Sequence, residues 1–359
     1  MPRIEFVMLL FMICCSFAYF ADGYRVKRFN FLMLIPLFLL IFIFGVRVNY
    51  GVDDASYLEY YVHKNSTVEP LYRLISHLFF YFHSPYQFFF AAVAVLGLGI
   101  LYKGINLFKI SYFWFFYIFF LYYFAFYIGI LRQSIAVSII FCSLYYFLRK
   151  NYRIWALLIL IASGFHKSSF IMLALCPLAN IARRPLRYAY YCVPLLFVIV
   201  FYNRLWDWSL KILTLFIFNE RLKMIINAFL TWQLEINSGL GVRLRILAYI
   251  CVLPKFIEIA KQDKQSLFLF NLFYIGLLGK FIFGQNMNFA RLFVGAYMTE
   301  FYLFPKAMQS INKKNVYTAS SSFCIFGLLI LTLLFLKENM NGFYHWDLDF
   351  TWKTNFITM

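Results

Sequence analysis

The sequence predicts an all-α integral membrane protein, and three observations support that fold class. Of the 359 residues, 64% are apolar and only 13% are charged, whereas an ordinary globular chain is about half apolar and about a quarter charged. The mean hydropathy is +0.74. Most of the net charge of +18 lies in short connections between apolar runs. These properties exclude a soluble protein and an aqueous nucleic-acid-binding protein, so a lipid bilayer is the expected surrounding medium.

Apolar runs long enough to cross a bilayer recur along the chain. A crossing takes roughly 20 residues, and this length predicts helices at 4–20, 31–47, 86–103, 111–128, 131–148, 188–203, 243–260, 266–284, 289–308 and 316–336. Residues 154–182 are also apolar, but both flanks are basic, so the chain must enter the membrane and return. We expect a short helical hairpin there. With both of its arms counted, the sequence predicts about 12 transmembrane helices in a single polytopic membrane domain, residues 1–359.

Basic residues identify the cytoplasmic side. The short connections carry 16 of the 33 Lys and Arg side chains and, among the acids, only Asp22 and Asp263. By the positive-inside rule these connections are cytoplasmic. The outer-face segments 48–84 and 204–242 and the outer C-terminal tail 337–359 then lie outside, in a periplasm or on an outer surface, together with both termini.

Polar and ionisable side chains collect at the predicted outer ends of the helices. Burying such groups in a membrane is costly, so each is a functional hypothesis. The residues singled out are Arg47, Asp53, Tyr57, Glu69, Arg73, Arg132, Gln133, His166, Ser168 and Arg291. Arginine predominates, and its planar fork suits a phosphate or diphosphate such as a lipid headgroup. Snorkelling to the interface is the alternative for any one arginine, but Arg132 begins a helix beside Gln133, which favours a functional role.

His166 stands at the tip of the predicted hairpin, where two roles are open. An ordinary pKa of about 6.5 would make it a usable base at neutral pH, and a lone histidine at a helix break also serves as a polar cap. Asp53 and Asp54 are adjacent, and adjacent carboxylates rarely reach one ion. We therefore expect no metal and no cofactor. Glu300 is expected to pair with a cation or a hydrogen-bond donor, and Lys280 to snorkel.

Four short motifs follow one another between roughly residues 40 and 310. They are Arg47 followed by Gly51-x-Asp53-x-x-x-Tyr57, then Glu69-Pro70, then Leu131-Arg132-Gln133-Ser134-Ile135-Ala136, then Gly164-Phe165-His166-Lys167-Ser168-Ser169. A fainter match is Asn288-Phe289-Ala290-Arg291. In combination these motifs resemble the EpsG-like and Wzy-type membrane polymerases of bacterial polysaccharides, the O-antigen polymerases among them.

The resemblance implies a GT-C-like glycosyltransferase of the bacterial inner membrane. Such an enzyme joins repeat units carried on undecaprenyl diphosphate at the periplasmic face, by transferring the growing glycan to a sugar hydroxyl of a fresh lipid-linked unit. The implied partners are undecaprenyl-diphosphate-linked oligosaccharides, the lipid bilayer, and a chain-length regulator and a flippase of the same pathway.

The resemblance also implies roles for individual residues. Arg132 and Arg291 would hold the diphosphates without a metal, and His166 is the candidate base. Asp53 or Glu69 would replace His166 in that role or bind sugar hydroxyls. The further substrate-binding residues are Arg47, Tyr57, Glu69, Arg73, Gln133 and Ser168, the first of them supporting the diphosphate-binding arginines.

Two other classes of protein remain open from the sequence. A flippase or transporter of lipid-linked sugars would also have about 12 helices, but it should show two related halves and charges through both leaflets. No related halves are visible here. An O-antigen ligase or a sugar acyltransferase is the second alternative.

Overall fold

In the computed structural model, the chain forms two compact units. The residues that the structure describes are 4–23, 31–48, 54–63, 68–181, 187–215, 239–284, 287–311, 318–340 and 347–348. The first unit comprises residues 1–173, 304–308 and 335–359, and the second comprises 174–303 and 309–334. The described residues are almost entirely helical, which confirms the all-α class. The prediction of a single membrane domain stays a prediction.

The first unit contains nine helices among its described residues before residue 173. They are α1 (Ile4–Gly23), α2 (Leu34–Val46), α3 (Asp54–His63), α4 (Pro70–Tyr81), α5 (Tyr86–Phe108), α6 (Tyr112–Ile118), α7 (Phe124–Gly129), α8 (Leu131–Leu148) and α9 (Tyr152–Phe165). Short 3-10 turns cover Phe31–Met33 and Lys167–Ile171, and a π-helical turn, Phe119–Tyr123, joins α6 to α7. A two-residue strand β1 (Arg47–Val48) pairs antiparallel with β2 (Asp347–Leu348).

The remaining helices belong wholly or largely to the second unit. They are α10 (Met172–Ile181), α11 (Tyr188–Leu215), α12 (Gly239–Ala260), α13 (Lys264–Ile282), α14 (Met287–Leu292), α15 (Val294–Tyr297), α16 (Glu300–Ser310) and α17 (Ala319–Met340). Helices α10, α16 and α17 each include some residues of the first unit.

Five segments of the described chain are long and apolar enough to cross a membrane. They are Phe6–Gly23, Tyr86–Phe108, Tyr112–Gly129, Leu131–Leu148 and Lys264–Ile282. Five shorter apolar helical segments are Phe31–Val46, Tyr152–Phe165, Lys167–Ile181, Tyr188–Tyr202 and Ala319–Leu334. The chain is therefore a membrane protein, and the number of 12 spans stays a prediction.

Two aspartates accept hydrogen bonds from the first backbone N–H groups of apolar helices. Asp22 accepts hydrogen bonds from the backbone N–H groups of Tyr112 (2.9 Å) and Phe113 (3.1 Å) at the start of α6. Asp263 accepts from the backbone N–H of Ser266 (2.6 Å) at the start of α13. An acid at a helix N-terminus satisfies free N–H groups and complements the helix dipole. The two acids of the short connections are thus helix caps.

Helix α8 forms the centre of the first unit. It packs against α5 on one side and α9 on another. Glycine makes the α5 contact close, because a Cβ at Gly104 would come within 2.7 Å of Phe141 Cδ1 on α8. Small residues bring membrane helices together in this way. Near the start of α8, a Cβ at Gly97 would lie 3.7 Å from Ser134 Oγ, so α5 also contacts α8 close to its first turn.

Two predicted elements differ from the structure. The helix predicted at 289–308 is broken into α14, α15 and α16. Hydropathy cannot show these breaks, because the residues around them are as apolar as the helices themselves. Helix α11, predicted to end at 203, continues to Leu215 and into the predicted outer segment 204–242.

Candidate functional site

Arg132 and Glu69 form an ion pair where two helices begin. Arg132 is the second residue of α8, and Glu69 immediately precedes α4. Arg132 Nη1 donates to Glu69 Oε2 across 2.5 Å. The exposed fraction of the side chain is 23% for Arg132 and 9% for Glu69. Because the pair is mostly removed from solvent, it is screened less than a surface ion pair, whose contribution is usually below about 1 kcal/mol.

Two tyrosines of α3 lie beside the Arg132 guanidinium. Its Cζ is 5.8 Å from the ring centroid of Tyr57 and 5.6 Å from that of Tyr60. Both distances are within the range of a cation–π contact. Tyr57 is buried, and its ring lies 5.9 Å from that of Tyr72 on α4. The tyrosines therefore form an aromatic wall on one side of the guanidinium.

Arg47 lies behind this aromatic wall. It follows the last residue of α2 and is fully buried, with 0% exposed. Its Cζ is 4.3 Å from the ring centroid of Phe90 on α5, and the Phe90 ring is 6.5 Å from that of Tyr57. The order of contact is thus Arg47, Phe90, Tyr57 and Arg132. The role of Arg47 in substrate binding stays a prediction.

Gln133 and Arg73 are placed next to the ion pair by the chain itself. Gln133 follows Arg132 on α8 and is buried. Arg73 is half-buried in the first turn of α4, and its backbone N–H donates to the Glu69 carbonyl across 3.0 Å. The Glu69 side chain makes no capping hydrogen bond to α4. The start of α4 therefore fixes the Glu69 backbone while its carboxylate binds Arg132.

His166 ends α9 and begins the 3-10 turn. Its Nδ1 accepts from the backbone N–H of Ser168 across 3.4 Å and lies 2.6 Å from the Ser168 Oγ. Because Nδ1 accepts from a backbone N–H, a neutral imidazole here carries its proton on Nε2. The structure therefore shows His166 as a cap of the 3-10 turn, and its role as a base stays a prediction.

Helix α4 connects the ion pair to His166. A Cβ at Gly164 would come within 2.6 Å of Leu71 Cδ1, so α9 and α4 are in close contact there. Gly164 is two residues before His166, and Leu71 is two residues after Glu69. The 3-10 turn also packs against α8. The structure thus places His166 and Ser168 near the same end of α8 as the ion pair of Arg132 and Glu69.

Two further residues, Asp53 and Arg291, were predicted to be catalytic. Asp53 lies outside the described residues. Arg291 lies on α14 in the second unit. Its predicted convergence with Arg132 stays a prediction, as does any role for Asp53.

Sequence analysis missed two aromatic members of the site, Tyr60 and Phe90. The spacing of Tyr57 and Tyr60 was a usable signal, because residues three apart share a helix face. Phe90 gave no signal, since one phenylalanine among 48 is indistinguishable by type. Within the described ranges, no group of three His, Cys, Asp or Glu residues is placed to hold a metal ion.

Comparison with known proteins identifies the family. The model of the family described as EpsG matches residues 30–346, a stretch that contains every residue of the cluster. Neither the curated proteins nor the solved structures contain a match to this chain. The EpsG family is of the Wzy-like polysaccharide-polymerase type. With most of its length matched, this chain belongs to the EpsG family.

Proposed function

We propose that this protein polymerises oligosaccharide repeat units carried on undecaprenyl diphosphate, at the periplasmic face of the bacterial inner membrane. The bond between C1 of the growing glycan and its diphosphate oxygen breaks, and the electron pair stays on that oxygen. A new bond forms between the same C1 and a hydroxyl oxygen on the sugar of a fresh lipid-linked unit. The hydroxyl proton passes to a base on the protein.

The observation that supports this proposal best is the state of Arg132. Glu69 engages Nη1 of its guanidinium, and among the described residues the Arg132 Nε has no hydrogen-bond acceptor. A guanidinium has five N–H donors. Arg132 can therefore keep its ion pair with Glu69 and still donate hydrogen bonds to the oxygens of a diphosphate. The positive charge of its guanidinium then stabilises the negative charge that develops on the leaving diphosphate.

The position of Arg132 also favours an anionic ligand. It lies in the first turn of an 18-residue helix. The positive end of the helix dipole disfavours a cation there and favours an anion, and the first backbone N–H groups of a helix have no acceptor within it. A diphosphate at this end would interact favourably with both the guanidinium and the helix.

Proton transfer is assigned to His166 through Ser168. The basic nitrogen of neutral His166 is Nδ1, 2.6 Å from the Ser168 Oγ. In the proposed step the acceptor sugar hydroxyl gives its proton to the Ser168 oxygen while the Ser168 proton moves to Nδ1. Glu69 remains the alternative base.

The outward location of the site rests on charge distribution. The short basic connections are assigned to the cytoplasm by the positive-inside rule, and the start of α8 then lies at the opposite membrane face. Twelve spans, a GT-C-like fold and periplasmic termini belong to the same proposal.

The test is complementation of a cell in which the native gene is deleted. Wild-type protein should restore a ladder of long glycans, whereas the deletion alone should show glycans only one repeat unit long, called caps below. A deletion with no caps would indicate a ligase, and a full-length ladder in the deletion would indicate an acyltransferase. A deletion that traps lipid-linked units on the cytoplasmic face would indicate a flippase. Each of these three outcomes would contradict the proposal.

A further inference from the structure

Helix α9 has one buried face and one exposed face. Ile159 and Ala162 are fully buried, whereas Leu157 is 56% and Leu160 51% exposed. Gly164 follows Leu157 by seven residues and Leu160 by four, so these three residues share the exposed face. Because α9 is an apolar helix of a membrane protein, this face is open to lipid hydrocarbon.

Helix α4 has a matching apolar face. Leu71, Leu74 and Leu78 have the same spacing of three and seven residues and therefore share a face. Leu74 is 64% and Leu78 52% exposed. Leu71 instead contacts α9, because a Cβ at Gly164 would come within 2.6 Å of Leu71 Cδ1. The two faces thus meet at Gly164 and form an apolar corner, which comprises Leu71, Leu74 and Leu78 of α4 with Leu157, Leu160 and Gly164 of α9.

The apolar corner begins next to the ion pair of Arg132 and Glu69. Leu71 is two residues after Glu69, whose carboxylate binds Arg132. Helices α8 and α9 are joined by only three residues and pack against each other, so they run antiparallel. At 1.5 Å per residue, Arg132 lies about 24 Å from the end of α8 and Leu160 about 12 Å from the start of α9. The corner therefore runs from near the ion pair toward the middle of α8.

A lipid diphosphate has two parts that need different surroundings. The diphosphate needs cations and hydrogen-bond donors, and the isoprenoid chain needs an apolar surface away from water. Because the chain is bonded directly to the diphosphate, a diphosphate at Arg132 places the first isoprene units only a few bonds away. The apolar corner offers a surface for the chain at that place, and it continues into the hydrocarbon along α9.

We infer that the apolar corner between α4 and α9 binds the polyprenyl chain of the lipid-linked substrate. The inference rests on the proposed function, because Arg132 must hold the diphosphate if the chain is to begin there. It assigns the chain to the side of the first unit where α4 crosses the exposed face of α9. The substrate then enters sideways from the bilayer along α9, and its chain stays in hydrocarbon throughout.

The first experiment locates the chain by photo-cross-linking on the intact full-length protein in phospholipid nanodiscs. A photoreactive benzoylphenylalanine is incorporated in place of Leu160, and the probe is radiolabelled undecaprenyl diphosphate. The matched control position is Leu9, a leucine that is also 51% exposed and lies in the membrane-length segment Phe6–Gly23. Labelling at Leu160 should exceed labelling at Leu9, and Arg132→Gln should remove the excess. Equal labelling at the two positions would show that α9 contacts ordinary lipid there, which would overturn the inference.

The second experiment measures dissociation constants in the same nanodiscs. Leu160→Gln should weaken binding of undecaprenyl diphosphate roughly tenfold, because a polar side chain replaces an apolar contact with the chain, whereas Leu9→Gln should bind as the wild type does. Geranyl diphosphate has only two isoprene units and cannot reach Leu160 from Arg132, so its affinity should be the same in Leu160→Gln and the wild type. Equal weakening of both diphosphates would contradict a site for the chain. If Leu160→Gln folds poorly, the cross-linking result decides.

The outcomes separate this inference from the proposed function. A protein that polymerises but is labelled equally at Leu160 and Leu9 contradicts only the site for the chain. A protein that is labelled preferentially at Leu160, loses the preference in Arg132→Gln and makes no polymer supports the site and contradicts the polymerase.

Discussion

The two ends of α8 carry the same kind of residue in different surroundings. At the start of the helix, Arg132 is mostly buried, bound to Glu69 and 5.8 Å from the ring of Tyr57. At the end, Arg149 is exposed and lies 5.3 Å from the ring of Tyr145. Both guanidinium groups are thus beside a tyrosine, so the cation–π contact does not distinguish them.

The difference lies in the helix dipole and in burial. A cation at a helix C-terminus is favoured by the dipole, and an exposed cation costs little. Arg149 therefore needs no further explanation than membrane orientation. Arg132 is placed against the dipole and away from water, which is a costly position for a residue with only a structural role. The comparison teaches that membrane arginines are separated by their environment rather than by their type.

The largest effect is expected from Arg132→Gln. Removing the cation that we propose to stabilise the leaving diphosphate should reduce polymerisation about 100- to 1000-fold, the range for loss of one transition-state donor. The measurement is the rate of glycan elongation at matched amounts of folded protein. Arg132→Lys keeps the charge but loses the planar fork, so it should recover only part of the rate. Full activity in Arg132→Gln would remove the distinction between the two ends of α8.

The second largest effect is expected at His166, which lies near the start of α8 and has no counterpart in the comparison at the Arg149 end. His166→Gln should slow transfer about 100-fold, the lower range of general-base catalysis. Binding of lipid-linked units should be unchanged, so kcat falls while KM stays constant. Ser168→Ala should give a smaller decrease, because the hydroxyl of the acceptor sugar can then give its proton to His166 directly or through water. A raised KM with normal kcat would assign His166 to binding instead.

A smaller effect on stability is expected from Glu69→Gln. The amide can still accept from Arg132, but the charge attraction is lost, and we expect about 1–3 kcal/mol less stability. The measurement is thermal unfolding of purified protein in detergent. The matched double variant, Glu69→Gln with Arg132→Gln, should lose less than the sum of the two single changes. Strict additivity would show that the ion pair contributes nothing.

The smallest effect is expected at the other end of the helix. Arg149→Gln should change the stability by no more than about 0.5 kcal/mol, as is usual for an exposed residue. Elongation should stay close to the wild-type rate. A loss comparable to that in Arg132→Gln would mean that both ends of α8 take part in the reaction.

Much of the first unit followed from the sequence because its signals are local. Continuous apolar runs predicted α1, α5 and α8 within a few residues of their ends. The Gly-Phe-His-Lys-Ser-Ser motif predicted the break at His166, where glycine and polar residues interrupt an apolar run. Arg132 was separated from the other arginines because it begins a helix.

The remaining features depend on contacts that sequence spacing does not show. Glu69 is 63 residues from Arg132, so their pairing required the packing of α4 beside α8. The breaks between α14 and α16 lie in an apolar stretch and were invisible to hydropathy. Sequence spacing also did not show the contact between the Lys280 ammonium and the Tyr297 ring, whose centroid is 4.0 Å away. This contact exists only because the broken segment packs on α13.

The most direct test compares the two ends of α8 in one assay. Purified wild-type, Arg132→Gln and Arg149→Gln proteins are incubated with a defined lipid-linked repeat unit, and the release of undecaprenyl diphosphate is measured with the length of the glycan. The account predicts near-complete loss of both products in Arg132→Gln and wild-type rates in Arg149→Gln. Equal rates in the two variants, with both proteins folded, would contradict it.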